Sequence, residues 1–108
     1  MAAFDDFLKE VGVEVKALIA KSFKTVASAA QKDANSFIKS STDDLKRWTK
    51  LLGDGSLTLQ DFEFLLAAKR DLAEMVALKQ AGLAQVQLDR FINGVVGAVI
   101  GAAEKTFL

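Results

Sequence analysis

Residues 4–52 read FDDFLKEVGVEVKALIAKSFKTVASAAQKDANSFIKSSTDDLKRWTKLL, and their apolar side chains return every eleven residues. The main series consists of Phe4, Val15, Val26, Phe37 and Trp48, and a neighbouring series of Leu8, Ile19, Ala30, Ser41 and Leu52. Eleven residues make three turns of a nearly straight α-helix, so both series fall on one stripe. The stretch therefore predicts a long amphipathic helical arm whose apolar stripe is covered by other helices.

This first arm has one candidate interruption, at residues 40–44 (SSTDD). Ser41 and Asp44 have the spacing of a capping box, in which a hydroxyl and a carboxylate accept the free amides of a helix start. The eleven-residue phase nevertheless continues to Trp48 and Leu52. The sequence thus predicts either a kinked continuous helix or a break near Ser41.

The second arm begins after a turn at residues 53–57, where the sequence GDGS supplies glycines suited to positive φ. Thr58 and Asp61 then have capping-box spacing. The apolar face predicted for the following helix consists of Phe62, Leu65, Leu66, Leu72, Met75 and Val76. The pattern slips near Gly82, which predicts a kink or short break at residues 81–84.

The segment from Phe91 to Ala103 has no charged residue and is apolar nearly all round. A helix of that kind belongs in a core or an interface. With thirteen residues it is shorter than the about 20 that cross a bilayer. The sequence therefore predicts a self-association surface here, formed by Phe91, Val95, Val96, Gly97, Val99, Ile100 and Gly101.

The fold class predicted from these patterns is all-α, with residues 1–108 forming a single helical domain. We expect an antiparallel helical hairpin with arms at about 4–52 and 58–107, kinked or broken near Ser41 and Gly82. Straight arms would each span about 75 Å and leave apolar surface exposed. Two solutions remain open, a four-helix bundle within one chain and a homodimer of two hairpins, and a homo-oligomer is favoured.

The composition of the 108 residues excludes several classes of function. Cys and His are absent, which removes the usual ligands of zinc, haem and iron–sulfur centres and the usual catalytic dyads. Lys and Arg number 14, as do Asp and Glu, so there is no basic excess for nucleic acid. We expect no enzyme activity, no cofactor and no nucleic-acid partner.

Two stretches resemble known motifs. Residues 53–62 resemble the second half of an EF-hand loop, but Lys50 and Leu52 stand where the first carboxylates belong, and a turn followed by a helix N-cap is the favoured interpretation. The lysine-bearing helix from Val15 to Lys39 resembles the surface-binding helices of apolipoproteins and similar lipid-coating proteins. An ordinary bundle helix with a solvated lysine face is favoured over it.

The functional hypothesis from the sequence is a non-catalytic assembly or adaptor protein that works through self-association or protein–protein contacts. The alternative is a peripheral protein that binds a lipid or granule surface through an amphipathic helix. The acidic start of the chain, with Asp5 and Asp6, lacks the basic character of a signal peptide. A cytoplasmic location is expected.

Overall fold

The computed structural model describes residues 2–108, and every regular element in that range is helical. The helices are α1 (Ala2–Ser22), a 3₁₀ turn (Lys24–Val26), α2 (Ala27–Gly53), α3 (Leu59–Asp71), α4 (Val76–Gln80) and α5 (Gln85–Phe107). The predicted all-α class is confirmed.

Helix α5 is central, because it packs against α1, α2 and α3. It runs antiparallel to α1, as pairs at both ends of the contact show. The rings of Phe23 and Phe91 lie 5.0 Å apart edge-to-face, while those of Phe7 and Phe107 lie 5.8 Å apart at the other end. Most apolar residues of the segment from Phe91 to Ala103 therefore lie where α5 faces α1, α2 and α3.

The eleven-residue stripe is buried, as predicted. Val15, Phe37 and Trp48 are 2%, 6% and 9% exposed, and the half-buried Phe4 and Val26 pack against the same core. Burial of this stripe against α5 and α3 is the main apolar contribution of the first half of the chain to stability.

Of the two alternatives predicted near Ser41, the break is wrong, because α2 continues through this position as one helix. The hydroxyls that suggested a helix start bond within the helix instead. Ser40 Oγ donates to the Phe37 carbonyl at 3.0 Å, and Thr42 Oγ1 donates to the Ile38 carbonyl at 2.8 Å. Ser41 itself is 1% exposed and lies in the core.

The first arm instead reverses direction at Phe23, between α1 and the 3₁₀ turn. Phe23 has φ −134° and ψ 29°, and its buried ring packs against the core. The reversal shortens the molecule, whose principal extents are 42 × 23 × 19 Å. Arms of about 75 Å are therefore wrong for this chain.

The second arm is broken twice. The break predicted near Gly82 is confirmed, since α4 ends at Gln80, α5 begins at Gln85 and Gly82 has φ 92°. A further break, not predicted, separates α3 from α4 at residues 72–75, where Met75 has the left-handed φ of 50°. Because of it, Leu72 and Val76 leave the predicted apolar face and are 75% and 54% exposed.

The predicted turn at residues 53–57 is confirmed between α2 and α3. Thr58 Oγ1 accepts from the Asp61 amide at 3.1 Å, and the Asp61 carboxylate accepts from the Thr58 amide at 3.3 Å. These two bonds complete the predicted capping box. They also occupy the carboxylate that an EF-hand loop would direct at calcium.

Candidate functional site

Large apolar side chains are exposed on α3, at the start of α4 and in the connection between these helices. Phe64 is 78% exposed, and Leu72, two helical turns later, is 75% exposed. Ala68 lies exposed between them at the i+4 position, and Val76 follows at the start of α4. We call Phe64, Ala68, Leu72 and Val76 the apolar rim. The other large exposed apolar residues described, Val13, Val86 and Leu108, lie on other elements.

The apolar rim borders an open groove between α2 and the α3–α4 connection, which we call the α2–α4 groove. Its volume of about 450 Å³ falls within the range of ordinary ligand sites. Phe37 and Met75 contribute apolar surface, and Ser36 and Ser40 contribute polar surface. Leu72 and Val76 line it as well, so this end of the rim adjoins the groove, whereas Phe64 and Ala68 lie outside its lining.

Asp33 also lines the groove but is 8% exposed, and its carboxylate is fully engaged. Oδ1 accepts from the Ala77 amide at 3.0 Å, and Oδ2 accepts from the Leu78 amide at 2.7 Å. These amides belong to the first turn of α4, whose own N-cap residue, Met75, offers no capping side chain. Asp33 therefore caps α4 from a different helix.

The connection between α3 and α4 exposes Leu72 and Val76 because the start of α4 is held in place by a single residue of α2. Asp33 anchors the start of α4, and Met75 must adopt a left-handed backbone to bring the amides to that carboxylate. A left-handed conformation costs a residue with a side chain about 1 kcal/mol. The charge-assisted bonds to Asp33 offset that cost.

The far side of the groove is marked by an ion-pair network. The Asp44 carboxylate contacts Lys69 of α3 and receives a bond from Arg47 at 2.7 Å. The hydrogen bond from Lys69 holds the pKa of Asp44 below its ordinary value of 3.8. The network fastens α3 to α2.

A second cluster joins α1 and α5 away from the groove. Lys105 Nζ lies 3.1 Å from Glu10 Oε2 and 4.0 Å from Glu14 Oε2. The bond from Lys105 lowers the pKa of Glu10, whereas burial, together with the nearby Glu10 carboxylate, raises the pKa of Glu14. Glu14 Oε2 is buried without a hydrogen-bond partner. The cluster is a contact between two helices and borders no cavity described here.

The segment predicted to self-associate lies mostly inside the chain. Phe91, Val95 and Val99 are fully buried and Val96 is 7% exposed. Gly97 is exposed, while Ile100 and Gly101 are half-buried. Only these last three residues offer surface to another molecule in this conformation. An interface at this position stays a prediction.

The glycines of α5 differ in their surroundings. A Cβ on Gly94 would lie 2.8 Å from a methyl carbon of Leu18, and one on Gly101 would lie 2.9 Å from Glu14 Oε1. A Cβ on Gly97 would meet nothing within 4 Å. Close helix packing at glycines of α5 therefore occurs at Gly94 and Gly101, which face α1.

Sequence reasoning did not single out the apolar rim. Leu72 and Val76 fit the helical spacing of the predicted buried face, and only the break at residues 72–75 exposes them. Phe64 carried a usable signal, because it follows Phe62 by two residues and so lies on the opposite side of the helix. A large aromatic residue on a polar face is a candidate contact residue.

Two further properties of the described chain bear on function. Within residues 2–108 no three His, Cys, Asp or Glu side chains are grouped so that they could hold a metal ion. Helix α5, with 23 residues and a mean hydropathy of 1.2 over its best window, is long and apolar enough to cross a membrane. Half of that window is buried, which is also usual for a core helix.

Comparisons of the chain with protein-family models, with curated proteins and with solved structures each find no match.

Proposed function

We propose that this protein is a non-catalytic assembly protein that binds a second copy of itself through the apolar rim and the α2–α4 groove. The observation that carries the proposal is the exposure of Leu72 and Val76 beside a groove of about 450 Å³, with the exposed Phe64 two helical turns before Leu72. Contiguous exposed apolar surface on a helical protein marks a contact site more often than a featureless surface.

A second copy suits the surface because the charges around the rim are of both signs. Glu63, Asp71 and Glu74 lie near it, as do Lys69 and Arg70. In a two-fold dimer the same patch meets itself, so acids of one copy can face cations of the other. A partner of strongly basic or acidic character would gain less from such a mixed rim.

The proposal treats each chain as a four-helix bundle formed by α1, α2, α3 and α5, with α4 as a short connecting helix. The contacts of α5 with the other three long helices support it. A bundle completed within one chain leaves the apolar rim, rather than the core stripe, as surface for a partner.

Two carboxylates of α2 that have structural partners support a non-catalytic role. The Asp33 carboxylate caps α4, and Asp44 is paired with Lys69 and Arg47. Each therefore has a structural partner that explains its position.

The proposal is tested by sedimentation equilibrium from micromolar to millimolar protein with the variants Phe64→Glu and Leu72→Glu. Wild type is expected to dimerise, and each variant is expected to weaken the dimer by at least tenfold, since a buried charge without a partner opposes association. Val86→Glu is the matched control, because Val86 is 69% exposed but lies on α5 outside the rim.

Three outcomes oppose the proposal. A strictly monomeric wild type over the whole range contradicts self-association. Equal weakening by Val86→Glu shows that added charge alone, and not the rim, is responsible. An unchanged dimer in both rim variants places the interface elsewhere, and a variant at Ile100 then tests the α5 surface.

The alternative of a lipid-coating protein that inserts its apolar stripe has a specific structural requirement. Val15, Phe37 and Trp48 are buried, so helices α1 and α2 must separate from α5 before the stripe can reach acyl chains. Anionic vesicles that induce loss of the Trp48 core environment, seen as a fluorescence change, would favour this alternative over the assembly role.

A further inference from the structure

The chain has as many basic as acidic residues, but the two kinds are unevenly distributed over its surface. Four lysines lie at positions 32, 39, 46 and 50 of α2, seven, seven and four residues apart, and all four are exposed. At 3.6 residues per turn this spacing keeps them on one side of the helix over about 27 Å. We call Lys32, Lys39, Lys46 and Lys50 the lysine face. Asp43 is the one exposed acid of α2 that lies among them.

The other two acids of α2 are engaged elsewhere. Asp33, beside Lys32, is buried and accepts the amides of Ala77 and Leu78. Asp44 contacts Lys69 and Arg47 on the side of α2 that faces α3. No ion pair found within residues 2–108 includes a member of the lysine face.

The neighbouring surface extends the positive charge and adds shallow apolar contact. A groove between α1 and α2 is lined by the half-buried Leu8 and Ile38 and by Lys39. A second shallow hollow continues towards the α1–α2 reversal, where Lys16 and Lys24 line it together with Ala20 and Ala27. Lys39 thus borders one of these hollows, and Lys16 and Lys24 border the other.

The chemistry of the face favours one class of partner. The aromatic residues of α2, Phe37 and Trp48, are 6% and 9% exposed, so the face has no ring on which a base can stack or around which a protein hot spot can form. Lysine is depleted at protein–protein interfaces. Flexible ammonium groups spread over a straight helix match a planar array of anionic headgroups.

We propose that the lysine face of α2 docks this protein onto an anionic lipid bilayer, with α2 lying along the membrane plane and the helical core intact. Binding is electrostatic, and the buried apolar stripe stays in the core. This docking uses residues other than those of the apolar rim, so it does not depend on self-association.

The test is co-flotation with phosphatidylcholine vesicles that contain or lack phosphatidylglycerol, at low and physiological salt. The wild type is expected to float with the anionic vesicles at low salt and to be released as salt screens the charges. Each Lys→Gln change on the face is expected to lower the partition coefficient about fivefold, and the quadruple variant several hundredfold.

The matched control removes four cations from other sides of the molecule: Lys9, Lys21, Lys79 and Arg90, each changed to Gln. All four are exposed, as the lysines of the lysine face are. Both quadruple variants lose four positive charges and so have the same net charge. Circular dichroism checks that both remain helical. A clearly smaller loss in the control than in the lysine-face variant supports docking through α2.

Other results overturn the proposal. Equal losses in both quadruple variants show that net charge alone matters. Binding to pure phosphatidylcholine, or loss of the Trp48 core environment on binding, shows insertion rather than docking. Absence of flotation at low salt, with or without binding to RNA or polyglutamate in solution, excludes the membrane as the partner.

Discussion

Asp33 and Leu78 are 45 residues apart in sequence, yet Asp33 Oδ2 accepts the Leu78 amide at 2.7 Å. This bond and its partner from the Ala77 amide at 3.0 Å join α2 to the first turn of α4. They turn Asp33, the only acid between Val15 and Thr42, inward and fix the connection that exposes Leu72. Asp43 is then the one exposed acid among the lysines of α2. One buried carboxylate thus shapes both proposed surfaces.

Replacing this carboxylate gives the first prediction. Asp33→Ala leaves two amides without an acceptor and is expected to lower the free energy of unfolding by about 2–3 kcal/mol. Asp33→Asn keeps one acceptor oxygen and is expected to lose less. Urea unfolding measures the loss, and hydrogen exchange at Ala77 and Leu78 locates it. Lys32→Ala, at an exposed neighbour, is the control, and equal losses in both variants would contradict the capping role.

The second prediction separates two glycines of one helix. Gly97→Ala places a Cβ in open space and is expected to stabilise α5 by about 0.5–1 kcal/mol through helix propensity. Gly94→Ala gains the same propensity, but its Cβ would lie 2.8 Å from Leu18, which must change rotamer. It is expected to be neutral or destabilising. Thermal unfolding compares them, and equal stabilisation by both would show that α1 is not held closely against α5.

The patterns that were read correctly from the sequence are those whose causes are local. The capping box at Thr58 and Asp61 and the break at Gly82 depend on residues within one turn of chain. The stripe through Val15, Phe37 and Trp48 was predictable as buried because its periodicity requires a covering surface. Its phase persists through the 3₁₀ turn, so periodicity could not distinguish a straight arm from one that reverses at Phe23.

The features that were missed depend on contacts distant in sequence. No Gly or Pro marks the break at residues 72–75, which is fixed by Asp33 from another helix. The exposure of Leu72 and Val76 followed from that break and could not be predicted for the same reason. A break was predicted near Ser41 because a hydroxyl-rich stretch suits a helix start. Such a stretch also suits a helix interior when its hydroxyls donate to carbonyls of the preceding turn, as Ser40 does to Phe37.

The third prediction concerns how the free energy of unfolding changes at acid pH. Lys69 holds the pKa of Asp44 below its ordinary value of 3.8, so this pair stabilises the fold above that pH and the contribution is lost as the pH falls through the lower folded value. Asp44→Asn is expected to cost less than about 1 kcal/mol at neutral pH. The difference from wild type should vanish in strong acid. Asp43→Asn, beside it on the exposed face, is the control and should change little.

The last prediction concerns Glu14, whose contribution to stability changes with pH in the opposite direction to that of Asp44. Burial, aided by the Glu10 carboxylate, raises the pKa of Glu14 above its ordinary value of 4.5, so the folded state binds the proton more tightly than the unfolded state does. The stabilising contribution of Glu14 is therefore full at acid pH and declines as the pH rises through the folded value. Glu14→Gln removes a charge whose Oε2 atom is buried without a hydrogen-bond partner.

We expect Glu14→Gln to match wild type near pH 4 and to be more stable by about 1 kcal/mol at pH 7, measured by urea unfolding at both values. The loss of attraction to Lys105 is small, because that ammonium lies 4.0 Å from Glu14 and stays bound to Glu10 at 3.1 Å. Glu10→Gln is the contrasting variant and should destabilise at pH 7, since Lys105 then loses its closer partner. A Glu14→Gln protein that is less stable at pH 7 would show that its ion pair with Lys105 outweighs the burial of its charge.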